Sequence, residues 1–364
     1  MAFRSFASCF SPVPFLRPGT TRFYRAVAVG LLLLFCVTAG KAQAPSPEPS
    51  TRDSALVITS DVDLFWSAYD RIVEEEDHAK QLQLINTLYI EPGTEGLTKF
   101  MASRDYTDTM YVKLINAFPK FWTSVRANTL QAHTVRPRVA GYVARLKELF
   151  PEMKPAKIYY AIGGLNSGGT GEAGTVMMGT EVSAGDPSVD VSEFDSDWLA
   201  GVFKNQTTEN LVVLAIHEYV HTQQAEYTDP EGVNVAAVAL VEGSCDFISE
   251  LVVGQPLPAT YMKVGRERAG ELRAAFLQDL YGTDFNRWVY NGGDTDLGAA
   301  DLGYYVGYEI SRRYYENTPD KRTAISSIIR SDWTDAKLLD SFIIASGYYT
   351  EEELTTARSL LKKE

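Results

Sequence analysis

Leu211 to Gln224 reads LVVLAIHEYVHTQQ, and the fold turns on how this stretch is read. Six apolar residues, Leu211 to Ile216, run straight into His217-Glu218-Tyr219-Val220-His221. On a helix, residues four apart lie on one face, about one turn from each other. The stretch therefore sets His217 and His221 side by side, able to grip one metal ion, with Glu218 beside them as a candidate base. The apolar flank predicts a helix buried in the middle of a domain. Two buried histidines next to a glutamate are costly without compensation. A metal ion provides that compensation.

Just upstream, Thr207 or Thr208 is placed to cap this helix. Downstream, a second helix is predicted from Val233 to Val253, with Gly254 and Pro256 as stop signals. It holds AVALVEGSCDF, where Glu242 follows an unbroken run of alanine, valine and leucine. A solvated carboxylate is out of place there. Catalytic zinc takes three protein ligands and keeps a fourth position open, so Glu242 is the expected third ligand beside His217 and His221. Asp246 lies four residues on, along the same helical face. Metal-bound histidines donate their other N–H to a carboxylate or carbonyl, and Asp246 is placed for that role, with a surface aspartate as the alternative. His78 and His133 lie far upstream and read as ordinary histidines. Cys245 reads as a buried structural thiol.

Working further outward, Asp61 to Leu149 is helical in pattern. Helices fit DLFWSAYDRIV, Ala79 to Tyr89, Asp108 to Asn128 and Arg138 to Phe150. The texture changes at Lys157 to Ile162 (KIYYAI), which is β-like. A glycine-rich loop, Gly163 to Gly174, and a second β-like run, Thr175 to Val182, follow. The pair predicts a small sheet just before the histidine helix. Gly169-x-Gly171-x-x-Gly174 matches a dinucleotide fingerprint, but that fingerprint needs a helix after it. A β-like run stands there instead, so nucleotide binding is not expected. Glu181 reads as surface charge on an edge strand. Further helices fit Thr260 to Tyr281, Leu302 to Glu316, Arg322 to Ser331, Asp335 to Ser346 and Glu351 to Lys362.

These residues resemble the gluzincin metallopeptidases, in which an HExxH pattern is followed by a later glutamate. HEYVH and the Glu242-x-x-x-Asp246 helix carry the resemblance, over about thirty residues. More loosely, the chain is similar to bacterial exported proteins of the predicted zinc-protease and gliding-motility lipoprotein B type. The resemblance implies that His217, His221 and Glu242 bind Zn2+ and that Glu218 is the general base for peptide hydrolysis. It also implies an oxyanion donor, a Tyr or His downstream of the third ligand. No histidine follows His221, so the donor is sought in DLGYYVGYE, Asp301 to Glu309. Gly303 and Gly307 there allow close helix approach. Tyr304 is the first choice, then Tyr305 and Tyr308. In gluzincin aminopeptidases a glutamate near the position of Glu181 reads a substrate's free amine, which gives that residue a second reading.

The expected whole is an exported, mainly α (α+β) chain. Residues 1–42 read as a signal peptide: basic flank, the apolar run Ala26 to Val37, and small residues at Ala39 to Ala44. Residues 43–54 read as a Pro- and Ser-rich linker, and 55–364 as one zincin-like metallopeptidase domain. The signal implies a periplasmic, cell-envelope or secreted location, with no transmembrane domain in the mature chain. Residues 1–42 hold five basic and no acidic side chains, which leaves 29 basic and 47 acidic residues, a net charge of −18. Phosphate-backbone binding needs the opposite sign, so nucleic acid is excluded as a partner and a peptide or protein substrate is expected. Cys245 is the one cysteine after residue 42, which rules out an intramolecular disulfide there. The competing function is a cell-envelope interaction protein that retains a structural or vestigial zinc site.

Overall fold

A computed structural model describes residues 56–361, apart from 196, 205, 293 and 294. The expected signal peptide and linker lie outside the described residues. The architecture is mainly helical with one small mixed sheet, as the sequence pattern predicts. No helix among the described residues is long and apolar enough to cross a membrane.

A short strand, β1 (Val57–Ile58), leads into α1 (Ser60–Ile72), α2 (His78–Ile85), α3 (Glu95–Arg104), α4 (Asp108–Ala117), α5 (Pro119–Thr129) and α6 (Ala132–Leu149). The single long helix expected from Asp108 to Asn128 is two. Phe118 leaves helical geometry at φ −129° and ψ 53°, and Pro119 opens the next helix at its first position, where a missing N–H costs nothing. The last of these helices starts six residues before the expected Arg138 and carries Pro137 inside it. Aromatic residues of these helices (Phe65, Trp66, Tyr111, Phe121, Trp122), with Tyr89 from the π-helical turn Asn86–Ile90 that follows α2, pack edge to face as one cluster.

The sheet is completed by β2 (Lys157–Ala161), β3 (Gly169–Glu172) and β4 (Thr175–Gly179), in the order β1-β2-β4-β3. Neighbours β1 and β2 are parallel, as are β2 and β4, with Tyr160 opposite Met178. Strands β3 and β4 form an antiparallel hairpin, with Thr170 opposite Met177. The glycine-rich stretch was expected to be loop throughout, yet half of it contains a strand. Its glycines answer to packing and turning. Gly174 sits in the hairpin turn at φ +77°, a conformation that favours glycine. One turn of helix, α7 (Thr180–Ser183), cuts the expected second strand short at Gly179.

After α8 (Asp197–Lys204) come the two central helices, α9 (Asn210–His221) and α10 (Val235–Val253). Neither Thr207 nor Thr208 caps α9: Glu209 occupies the cap position without a side-chain cap bond, and its carboxylate is drawn instead to Arg138. Asn234 caps α10 by accepting the Ala237 N–H at 3.0 Å. The remaining elements are α11 (Thr260–Glu267), α12 (Ala269–Asp279), α13 (Leu302–Asn317), α14 (Lys321–Arg330), α15 (Ala336–Ser346) and α16 (Glu351–Leu361). Helices α10 and α13 cross at near backbone contact. A Cβ on Gly243 would collide with the Tyr308 backbone nitrogen, and one on Gly307 with the Ala239 carbonyl oxygen. Gly303 plays a different part, letting α13 approach Trp288 and Val289.

Candidate metal centre

Strand β3 lies directly against α9 at the histidines. A Cβ on Gly169 would sit 2.9 Å from Glu218 Cγ, and one on Gly171 only 2.6 Å from the Glu218 carbonyl oxygen and 3.3 Å from His221 Cβ. Only glycine allows this approach, which explains two of the three glycines in the apparent nucleotide fingerprint. Helix α10 packs on another side of α9 and brings Glu242 and Asp246 to the same point.

Four side chains predicted from the sequence converge there, all of them buried: His217, His221, Glu242 and Asp246. Glu242 Oε2 lies 3.3 Å from His217 Nε2 and 3.2 Å from His221 Nε2. The two Nε2 atoms are 3.0 Å apart. Donor atoms around one tetrahedral ion, with metal–ligand bonds of about 2.0–2.1 Å, stand roughly 3.3–3.4 Å from each other. The three separations fit one small cation.

Proton positions follow from the partners behind each ring. Asp246 Oδ1 lies 2.9 Å from His217 Nδ1, and a carboxylate can only accept. His217 therefore carries its proton on Nδ1. Gln224 donates its amide to the Val241 carbonyl at 2.8 Å and to Ser244 Oγ at 3.0 Å. That orientation aims Gln224 Oε1 at His221 Nδ1, 2.8 Å away, which puts the second ring's proton on Nδ1 as well. In the neutral rings both Nε2 lone pairs then face a carboxylate oxygen. Three lone-pair donors meeting away from water call for a positive charge between them. Without a metal, a proton on the histidine pair is the charge that answers this demand. Burial works against a charged His221, but Cys245 and Glu242 beside it outweigh that and hold its pKa well above the ordinary histidine range. Burial likewise opposes a charged Glu242, yet His221 and His217 pull its pKa far down.

Cys245 belongs to the neighbourhood in a way the sequence did not suggest. Its Sγ is 3.4 Å from His221 Nδ1, and donor atoms of His217, His221 and Cys245 all lie within 4.8 Å of one another. Two donor sets thus share the histidines. The thiol touches the Nδ1 edge of His221, whereas Glu242 Oε2 faces the Nε2 atoms of both rings. The tighter and mutually consistent set is His217, His221 and Glu242.

Glu218 is fully buried and faces β3 through Gly169. Burial raises its carboxyl pKa, against the lowering influence of His221 and His217. Tyr304 reaches the centre, but its ring lies nearly parallel to His217, 6.3 Å between centroids at 19°, and is buried. It packs against the His217 ring. Tyr308 points elsewhere, donating to Glu250 Oε1 at 2.6 Å, and Tyr305 packs over Gly265 of α11. Glu181 is not the surface charge expected on an edge strand. It is fully buried and accepts the N–H groups of Gly163 at 2.8 Å and Leu165 at 3.1 Å, pinning the loop that leads into β3. Burial pushes its carboxyl up to about 7.

Three contributors were missed in the sequence. Gln224 ends the stretch LVVLAIHEYVHTQQ, three residues after His221, and that spacing is a usable signal. Tyr261 donates to Asp246 Oδ2 at 2.9 Å, and Tyr290 to Glu242 Oε1 at 2.6 Å; neither has a local sequence signal. Comparison with known protein families, with curated proteins and with solved structures finds no match to this chain.

Proposed function

We propose that the chain is a zinc-dependent peptidase whose metal is held by His217, His221 and Glu242. The observation that carries this reading is the meeting of three lone-pair donors at 3.0–3.3 Å, with the carboxyl of Glu218 alongside. A bound zinc ion supplies Lewis acidity and an acidified water. The protein's own groups supply the rest. Asp246 and Gln224 hold the two imidazoles in the tautomer that presents Nε2. Glu218 accepts a proton on its carboxylate as water adds to the peptide carbonyl, and returns it to the leaving amine. Its burial favours the protonated form and so suits a group that must hold a proton between the two steps. Strand β3 packs close on this carboxyl, since Gly169 and Gly171 carry no Cβ to hold strand and helix apart.

Glu218→Gln tests the assignment. The variant is expected to bind zinc as the parent does and to lose hydrolysis of a mixed peptide library by at least about a hundredfold. Equal hydrolysis by both proteins, or none by either with zinc bound, would remove the peptidase reading.

A further inference from the structure

Tyr290 sits in the connection between α12 and α13 with its backbone at φ +56°. That left-handed conformation is rare and strained for an aromatic residue. The surrounding structure holds it in place from both sides. Trp288 is fully buried and donates its indole N–H to Asp279 Oδ2 at 2.8 Å. The Gly303 N–H of α13 donates to the Trp288 carbonyl at 2.7 Å. On the far side, Asn291 and Asp301 exchange bonds: the Asn291 N–H donates to Asp301 Oδ1 at 3.2 Å, and the Asp301 N–H to Asn291 Oδ1 at 3.0 Å. Asp301 is itself left-handed, at φ +59°. A strained residue clamped between two anchors places its hydroxyl on Glu242 Oε1 at 2.6 Å.

We propose that Tyr290 is a positioning residue of the metal centre, holding Glu242 to donation through a single oxygen. This rests on the zinc-peptidase reading above. A carboxylate can offer one oxygen or both to a cation. Here Oε1 is occupied by a charge-assisted hydrogen bond, and Oε2 alone faces the two histidines. Single-oxygen donation leaves a coordination position for water or substrate, which a catalytic site requires and a closed structural site does not.

Tyr290→Phe removes the hydroxyl and leaves the ring. Tyr308→Phe is the matched control, because it deletes an equally short Tyr–Glu bond, to Glu250, away from the metal ligands. Both are measured for the visible spectrum of the Co(II)-substituted protein and for zinc affinity by chelator competition. The expected result is that Tyr290→Phe changes the spectrum to the weaker absorption of a higher coordination number and loses about tenfold in zinc affinity, while Tyr308→Phe matches the parent in both. An unchanged spectrum overturns the proposal, including the case where affinity alone falls. So does an equal change in Tyr308→Phe, or a parent chain that takes up neither metal. A spectral change specific to Tyr290→Phe in a protein that cleaves no peptide upholds the positioning role and removes only the peptidase reading.

Discussion

Asp246 Oδ1 lies 2.9 Å from His217 Nδ1, and its other oxygen accepts the hydroxyl of Tyr261 at 2.9 Å. This buried carboxylate fixes which nitrogen of His217 faces the centre. Asp246→Ala is therefore expected to weaken zinc binding by about 10–100-fold. Asp246→Asn can still accept from Nδ1 and should lose less. Competition against a chelator of known affinity measures both.

Gln224 does the same for His221, through an amide anchored on Val241 and Ser244 of α10. Gln224→Leu leaves a carbonyl and a hydroxyl of α10 without this donor. It should destabilise the metal-free protein by about 1–3 kcal/mol and weaken zinc binding as well. Denaturant unfolding with and without zinc separates the two effects.

Strand β3 can approach α9 only as glycine. Gly171→Ala would put a Cβ 2.6 Å from the Glu218 carbonyl oxygen, so strand and helix must separate. The expected cost is about 1–3 kcal/mol, together with loss of activity. Gly174 lies in open space and is constrained only by its φ of +77°. Gly174→Asn, which tolerates that region, should stay within about 1 kcal/mol of the parent. Chemical denaturation of the two variants checks the contrast.

Glu181 gives the fold a pH dependence of definite sign. Its carboxyl is raised by burial from the ordinary 4.5 to about 7. Between those values the folded state binds the proton that the unfolded chain has released. The contribution is full below pH 4.5 and is lost as pH rises through 7, on the order of 3 kcal/mol in all. Glu181→Gln should flatten that decline. Unfolding free energies of parent and variant at pH 5 and pH 8 give the comparison.

Much of the centre was legible in the sequence because it rests on local periodicity. HEYVH places two imidazoles on one face whatever the rest of the chain does. Glu242 stood out because a carboxylate inside an alanine and valine run has no reason to be there without a partner. What escaped notice depends on contacts between distant segments. Tyr290 meets Glu242 across 48 positions, and nothing around it marks it as different from nineteen other tyrosines. Strand β3 was hidden because two of its four residues are glycine, which disfavours a strand by propensity and is required here by the helix beneath. Glu181 read as exposed because the loop amides that receive it, Gly163 and Leu165, precede it by 18 and 16 positions.

The central claim is that His217, His221 and Glu242 hold one zinc ion. Metal analysis of the purified chain, beside Glu242→Ala and Cys245→Ser, tests it most directly, since those two residues compete for the place of third ligand. About one zinc per chain is expected in the parent and in Cys245→Ser, and a loss of zinc in Glu242→Ala. A fully folded parent without zinc would contradict the account, as would zinc lost from Cys245→Ser and retained by Glu242→Ala.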